Sequence, residues 1–168
     1  MRTLFFTAPI ALLLASAATP QAPTPTAQAQ QVPGDRNDVA SVDTEDPEMN
    51  RAIADAKRAL PDFLEVLENP PQGASRVGFK FPLGGWEHIW VGDVRRDGTF
   101  LTGRLNNVPI QKEFSEGDAV RVPLSEVSDW AWMDTDGEMR GQFTTRVLLD
   151  RLDPAIANAI RQNFGWDK

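Results

Sequence analysis

The sequence contains no cysteine, no tyrosine and a single histidine, His88. Without cysteine there is no disulfide, no thiolate nucleophile and no acylated lipoprotein anchor, so the fold must rest on packing alone. A zinc centre draws on about three or four ligands from cysteine, histidine and carboxylate. With one histidine only a carboxylate-heavy set could be assembled, and neither a metal nor a cofactor is expected. Also missing are the Gly-x-Ser-x-Gly elbow, the Gly-Lys-Ser/Thr phosphate loop and the dinucleotide fingerprint. Aligning Gly137 with the glycine of an EF-hand loop puts Trp132 and Phe143 where the first and last carboxylates belong, so Asp134 to Gly137 reads as a turn. Positive charge is short as well: 17 Lys and Arg stand against 24 Asp and Glu. That balance disfavours nucleic acid and anionic lipid as partners.

What is present begins with an address. Arg2 precedes an apolar run from Leu4 to Leu14 and the small residues Ala15-Ser16-Ala17-Ala18, the layout of a secretory signal peptide cleaved after Ala17 or Ala18. The run is interrupted by Thr7 and Pro9 and falls short of the about 20 apolar residues that a membrane span needs. Residues 1–18 are therefore expected to be removed, leaving a periplasmic or secreted chain with no membrane insertion. Residues 19–45 are rich in Pro, Ala, Gln and Thr and then acidic (Asp35, Asp38, Asp43, Glu45), a composition that buries little and reads as a solvated linker. Residues 46–168 have the size of one domain.

Asp46-Pro47 is a helix start, with a carboxylate to receive orphan amides and a proline where its missing donor is harmless. Ile53, Ala56 and Leu60, then Phe63, Leu64 and Leu67, recur at helical spacing. Pro61 inside that pattern predicts a kink or break, and Pro70-Pro71 an end. Val77, Phe79 and Phe81 alternate as in a half-buried strand. Val120, Val122 and Leu124 alternate in the same way, and Val127 to Met133 predicts a further strand. Val147, Leu148 and Leu152 suggest a short helix; Asp153-Pro154 repeats the capping device before the stripe Ile156, Ile160 and Phe164, which ends at Gly165.

The stretch Gly85-Trp86-Glu87-His88-Ile89-Trp90-Val91 gathers the chemistry-bearing residues. It is followed by Asp97-Gly98, a strong hairpin signal. With those two residues as the loop, Val94 pairs with Leu101, Gly92 with Gly103, Trp90 with Leu105 and His88 with Asn107. Trp90, Val94, Leu101 and Leu105 then form the core face, joined by Trp86 and His88, while Ile89, Val91 and Asp93 face away. Gly92 opposite Gly103 leaves a bare patch open to close approach. Glu87 and His88, as strand neighbours, point to opposite faces and form no dyad. Glu87 is either solvated or paired with Arg104. His88 stands at the rim, either a packed imidazole bonded to Asn107 or Asp129 or a functional group. The tryptophans are expected in the core; a partly exposed cluster would instead mark a groove for a peptide or glycan.

These residues also resemble a known family. Trp86-Glu87-His88-Ile89-Trp90-Val91, Gly103-x-Leu105-x-Asn107-x-Pro109, Gly117-Asp118-x-Val120 and Val127-Ser128-Asp129-Trp130 are similar to the bacterial YegJ-like family, domain of unknown function 2314. The likeness runs from about Met49 to Leu152 and takes in Ala52, Ala56 and Phe63 before the strands and Arg146-Val147-Leu148-Leu149 after them. It implies a domain and no reaction. It directs attention to Glu87-His88-Ile89-Trp90, Asn107-Val108-Pro109 and Ser128-Asp129-Trp130.

The expected architecture is a single α+β domain: an N-terminal helical segment, a strongly bent antiparallel sheet of about five strands, and C-terminal helices. The candidate binding residues are Glu87, His88, Trp90, Asn107, Asp129 and Trp130, with no catalytic role assigned. The first functional reading is an envelope binding module for a protein, peptide or glycan. The second is a small cofactor-free hydrolase using His88 or Glu87 with Asp129, and the third a structural envelope component without a pocket.

Overall fold

The first helix starts where the capping chemistry places it. The Asp46 carboxylate accepts the Glu48 and Met49 amides at 3.0 and 3.1 Å, and Pro47 opens helix α1, Pro47–Arg58. Arg151 also bonds the Asp46 carboxylate, which holds that group down to about 2. Helix α2, Leu60–Glu68, follows after Ala59, so the break expected from Pro61 is real and the proline sits in the first turn of the second helix. The computed structural model describes residues 46–167; the signal peptide expected at 1–18 and the linker at 19–45 lie outside the described residues.

Six strands follow: β1 Ser75–Leu83, β2 Glu87–Asp97, β3 Phe100–Leu105, β4 Ala119–Pro123, β5 Asp129–Met133 and β6 Met139–Gly141. Helices α3, Phe143–Leu149, and α4, Pro154–Asn163, close the described chain. Every strand pairing is antiparallel, in the order β4-β3-β2-β1-β5-β6, and the sheet is open. Residues 46–167 thus form a single α+β domain, with β6, a three-residue strand after the Asp134 turn, as the addition to the sequence expectation.

Both faces of the sheet are packed, by different elements. On one, α1 and α2 cover Phe79, Phe81, Leu83, Ile89, Val91, Leu101, Leu105, Val122 and Trp130. Trp130 anchors this layer: its ring stacks on Phe63 at 5.5 Å, and its indole N–H donates to the Ala56 carbonyl at 2.9 Å. On the other face, Trp90, Ala131 and Met139 pack with Leu149, Ala157, Ile160 and Phe164 from the C-terminal segments. The α4 stripe is therefore Ala157, Ile160 and Phe164; Ile156, one step out of register with it, is exposed. Among the described residues no helix is long and apolar enough to cross a membrane.

The expected hairpin register is corrected in two places. Gly98, at φ 60°, takes the first loop position with Thr99 the second, so Asp97 pairs with Phe100 and Arg96 with Leu101. Positive φ at the first loop residue alone is the type II′ pattern. Farther along, Asp93 and Val94 together oppose Gly103, a β-bulge with Asp93 at φ 53°. One extra residue inverts the alternation, so Ile89 and Val91 face the main core and Trp90 the C-terminal helices, the reverse of the expected assignment. The bare glycine patch is also not a groove. A methyl on Gly103 would collide with the Gly92 carbonyl oxygen and the Val91 side chain, so the space is filled by the bulged strand itself.

Gly103→Ala is expected to lower unfolding free energy by about 1–3 kcal/mol, the usual cost of overpacking. Gly92→Ala, whose methyl would come no nearer than 3.7 Å to Asn106, should be measurably milder. Urea unfolding of the two variants, showing equal losses, would contradict the bulge geometry.

Candidate functional site

The register inversion turns Glu87 inward. Its carboxylate, 6% exposed, sits at the start of β2 and reaches the connection between β3 and β4. One oxygen accepts the Ile110 amide at 2.7 Å; the other accepts the Gln111 amide and the Gln111 side-chain amide, both at 3.3 Å. Gln111 also donates to the Leu83 carbonyl at 2.8 Å. A carboxylate with several donors is well satisfied when buried, and here it fastens a connecting segment to the β1–β2 turn. Both joined segments present apolar side chains to solvent: Trp86, in the β1–β2 turn, is 55% exposed, and in the clamped connection Val108 is 56% and Ile110 44% exposed, while Pro109 between them is buried. Glu87 is thus neither solvated nor paired with Arg104, which instead donates to the Gly117 carbonyl at 2.9 Å.

On the opposite face of β2, His88 is exposed, and its Nδ1 lies 2.8 Å from the Ser128 hydroxyl oxygen. Partial withdrawal of the ring from water pushes its pKa below 6.5, and the positive charges of Lys80 and then Lys57 push the same way. The imidazole is therefore neutral near pH 7. Deeper on this face, Lys80 pairs in register with both Trp90 and Asp129. Its ammonium lies 4.6 Å from the Trp90 ring centre and donates to the Thr144 hydroxyl at 3.2 Å.

Asp129 is fully buried, and its two oxygens divide the labour. Oδ1 accepts the Trp130 and Phe143 amides at 2.8 and 3.1 Å; Oδ2 accepts the Thr144 amide at 2.8 Å and the Thr144 hydroxyl at 2.5 Å. A strand carboxylate therefore satisfies the first free amides of α3, whose own preceding residue, Gln142, makes no side-chain cap. Burial raises the Asp129 pKa, opposed by Lys80 and by the bonds from Thr144 and Trp130.

Of the six residues singled out from sequence, the structure brings three to one end of the sheet: Glu87, His88 and, in the clamped segment, Asn107. The β2–β3 ladder stops at Val91 and Leu105, so the expected pairing of His88 with Asn107 does not form; Pro82 is opposite His88. Trp90, Asp129 and Trp130 are buried. His88 bonds Ser128, the neighbour of Asp129, and not Asp129 itself. Trp86, expected in the core, is exposed. Ser128, Lys80, Thr144 and Gln111 went unassigned. Ser128 was visible within Ser-Asp-Trp, whereas Lys80 in an alternating strand looks like any solvent-facing charge. Among the described residues no cluster of three or more His, Asp or Glu side chains is placed to hold a metal ion.

These features define a small open-sheet α+β domain with an internal carboxylate clamp. Residues 46–167 match the model of a family described as an uncharacterized protein conserved in bacteria, domain of unknown function 2314, and the chain belongs to that family. Among curated proteins it is similar to a putative ankyrin repeat protein of Neisseria meningitidis serogroup B, 35% identical over 67 residues, or 39% of this chain. The matched stretch spans 26% of that relative's length. No solved structure matches the chain.

Because His88 is the one histidine, its titration can be followed without assignment ambiguity. An NMR titration is expected to give a midpoint below 6.5, moving upward in Lys57→Gln. A depressed folded pKa means that this group's contribution to stability is present above 6.5 and is lost as pH falls through the folded value. A midpoint at or above 6.5 would contradict the arrangement.

Proposed function

We propose that the protein is an exported binding module of the cell envelope, with its contact surface at the apolar tip formed by Trp86, Val108 and Ile110. Export rests on the leader pattern from Arg2 to Ala18, which fits a cleaved signal. The observation that carries the binding reading is exposure of three large apolar side chains on two segments, the β1–β2 turn and the β3–β4 connection, that a buried carboxylate joins. Exposed apolar groups scattered singly need no explanation, but grouped ones on a rigid support favour association. A rigid tryptophan is a common energetic anchor, and the two aliphatic neighbours suit a protein or peptide better than a glycan. The exposed His88 supplies a polar group two residues along the chain from Trp86.

A second reading, hydrolysis, is favoured by the 2.8 Å contact between Ser128 and the neutral His88 ring. In it the Ser128 hydroxyl would attack an ester carbon and pass its proton to the imidazole, which would return it to the leaving alcohol as the acyl–oxygen bond breaks, and water would then release the acyl group from Ser128 by the same proton route. Glu87 and Asp129 are poor acid-base candidates, since their oxygens are committed to loop and helix amides. Ser128 is 3% exposed, which favours the packed role for the pair.

The test compares partners of the intact exported protein with those of Trp86→Ala/Ile110→Ser. A partner bound by the native chain is expected to be lost or weakened by at least about tenfold, in the range of one hot-spot residue, with the circular dichroism spectrum unchanged. Equal binding by both proteins would refute the tip as the contact surface. Ester turnover abolished by Ser128→Ala would replace this reading with the second. The intact mass of the exported protein should begin after Ala17 or Ala18, and a full-length mass in the membrane fraction would overturn the export reading.

A further inference from the structure

A second surface, remote in character from the apolar tip, carries charge. On the Trp90 face of the sheet, the turn half of β2 together with β3 and β4 forms an open trough of about 1060 Å³, lined by Arg95, Thr102, Arg104 and Arg121 with Asp93 and Ala119 among the rest. The register sets Arg95 opposite Thr102 and Thr102 opposite Arg121, so the three stand in one row across three strands. Arg104 stands in the next row of the same face, between Gly92 and Ala119.

The cations here differ in what they are doing. Arg121 is held by Asp97 at 2.9 Å and lies over the Phe100 ring. Arg104 is aimed by a neutral carbonyl, that of Gly117. Arg95 is exposed, and its guanidinium has no partner among the described residues. Arg76, on β1 beside Val77, is not part of the trough: its guanidinium lies 5.6 Å from the Phe164 ring centre, toward the C-terminal helices. Asp93, one of the three non-glycine residues at positive φ among the described residues, lines the trough at the β2 bulge. Such strained positions gather where a surface is shaped for use. With Arg121 paired to Asp97, the charge that this face offers to an outside partner is that of Arg95 and Arg104, a local departure on a chain with formal charge -7.

We propose that this face binds an extended segment of a partner protein carrying acidic residues at alternate positions, seated beside strand β4. Geometry favours a peptide. Neighbouring strands lie about 4.8 Å apart and same-face side chains of an extended chain recur about every 6.8 Å. Carboxylates at alternate positions therefore match the spacing between the arginine rows. β4 is an edge strand, so it also offers unpaired backbone groups to a chain laid alongside it. Guanidinium forks pair with carboxylates bidentately, which gives the contact direction as well as charge. This surface is independent of the apolar tip and holds whether or not the tip binds.

The test titrates the full mature chain with the synthetic peptide Thr-Glu-Thr-Glu-Thr-Glu and follows amide and arginine side-chain resonances. Expected are shifts at Arg95, Arg104, Arg121 and along β4, affinity that falls as salt rises, and a loss of at least about tenfold in Arg95→Gln/Arg104→Gln. Both arginines are exposed, and an unchanged thermal transition would show that the variant is folded. Trp86→Ala should bind the peptide as the native chain does. Equal binding of Thr-Gln-Thr-Gln-Thr-Gln, or unchanged binding in the arginine variant, would overturn the proposal. So would a sulfated oligosaccharide that binds this face more tightly than the peptide. Binding seen only when Asp35, Asp38, Asp43 and Glu45 are replaced by their amides would assign the face to the chain's own acidic segment instead.

Discussion

One extra residue in β2 governs the rest of the molecule. Because Asp93 and Val94 together oppose Gly103, side-chain alternation reverses partway along the strand. The turn half keeps Val94 against the main core; the other half places Ile89 and Val91 there and sends Trp90 to the opposite layer. The same reversal turns Glu87 into the protein and His88 out of it. A hairpin without the bulge would bury the imidazole and expose the carboxylate, and the segment after β3 would lose the acceptor that holds it.

Two buried carboxylates then do the work that a disulfide cannot do in a chain without cysteine. Glu87 ties the β3–β4 connection to the β1–β2 turn, and Asp129 ties the start of α3 to β5. Each joins segments far apart in sequence through backbone amides, groups that no substitution removes except proline. A buried carboxylate is costly unless its oxygens are filled, and both are filled several times over. Lys80, set between the Trp90 ring and Thr144, places a compensating charge near Asp129.

Much of the fold was legible in the sequence because local chemistry decides it. Asp46-Pro47 and Asp153-Pro154 cap the helices they announce, Pro61 marks the break between α1 and α2, and the alternation around Phe79 marks β1. The misreadings share one cause. A two-residue loop and a bulge both shift register without altering composition, so Asp97-Gly98 suggested a hairpin but not that Gly98 would lead its loop. Pattern alone also could not find β6, three residues long and stabilised by its neighbour. At the site, the Glu-His-x-Trp and Ser-Asp-Trp elements drew attention to the right segments. Their roles were hidden because a carboxylate that accepts loop amides and one that faces water look alike in sequence.

The domain presents two different faces, an apolar tip held by Glu87 and an arginine-lined trough beside β4, and the first depends directly on the inward turn of that carboxylate. Amide hydrogen exchange at Ile110 and Gln111 probes it at the atoms concerned. The account requires both amides to be protected to a degree comparable with the β1–β2 ladder, and to lose that protection selectively in Glu87→Ala. Exchange at Ile110 and Gln111 as fast in the native chain as at Glu116, exposed in the same connection, would show that Glu87 does not hold the segment.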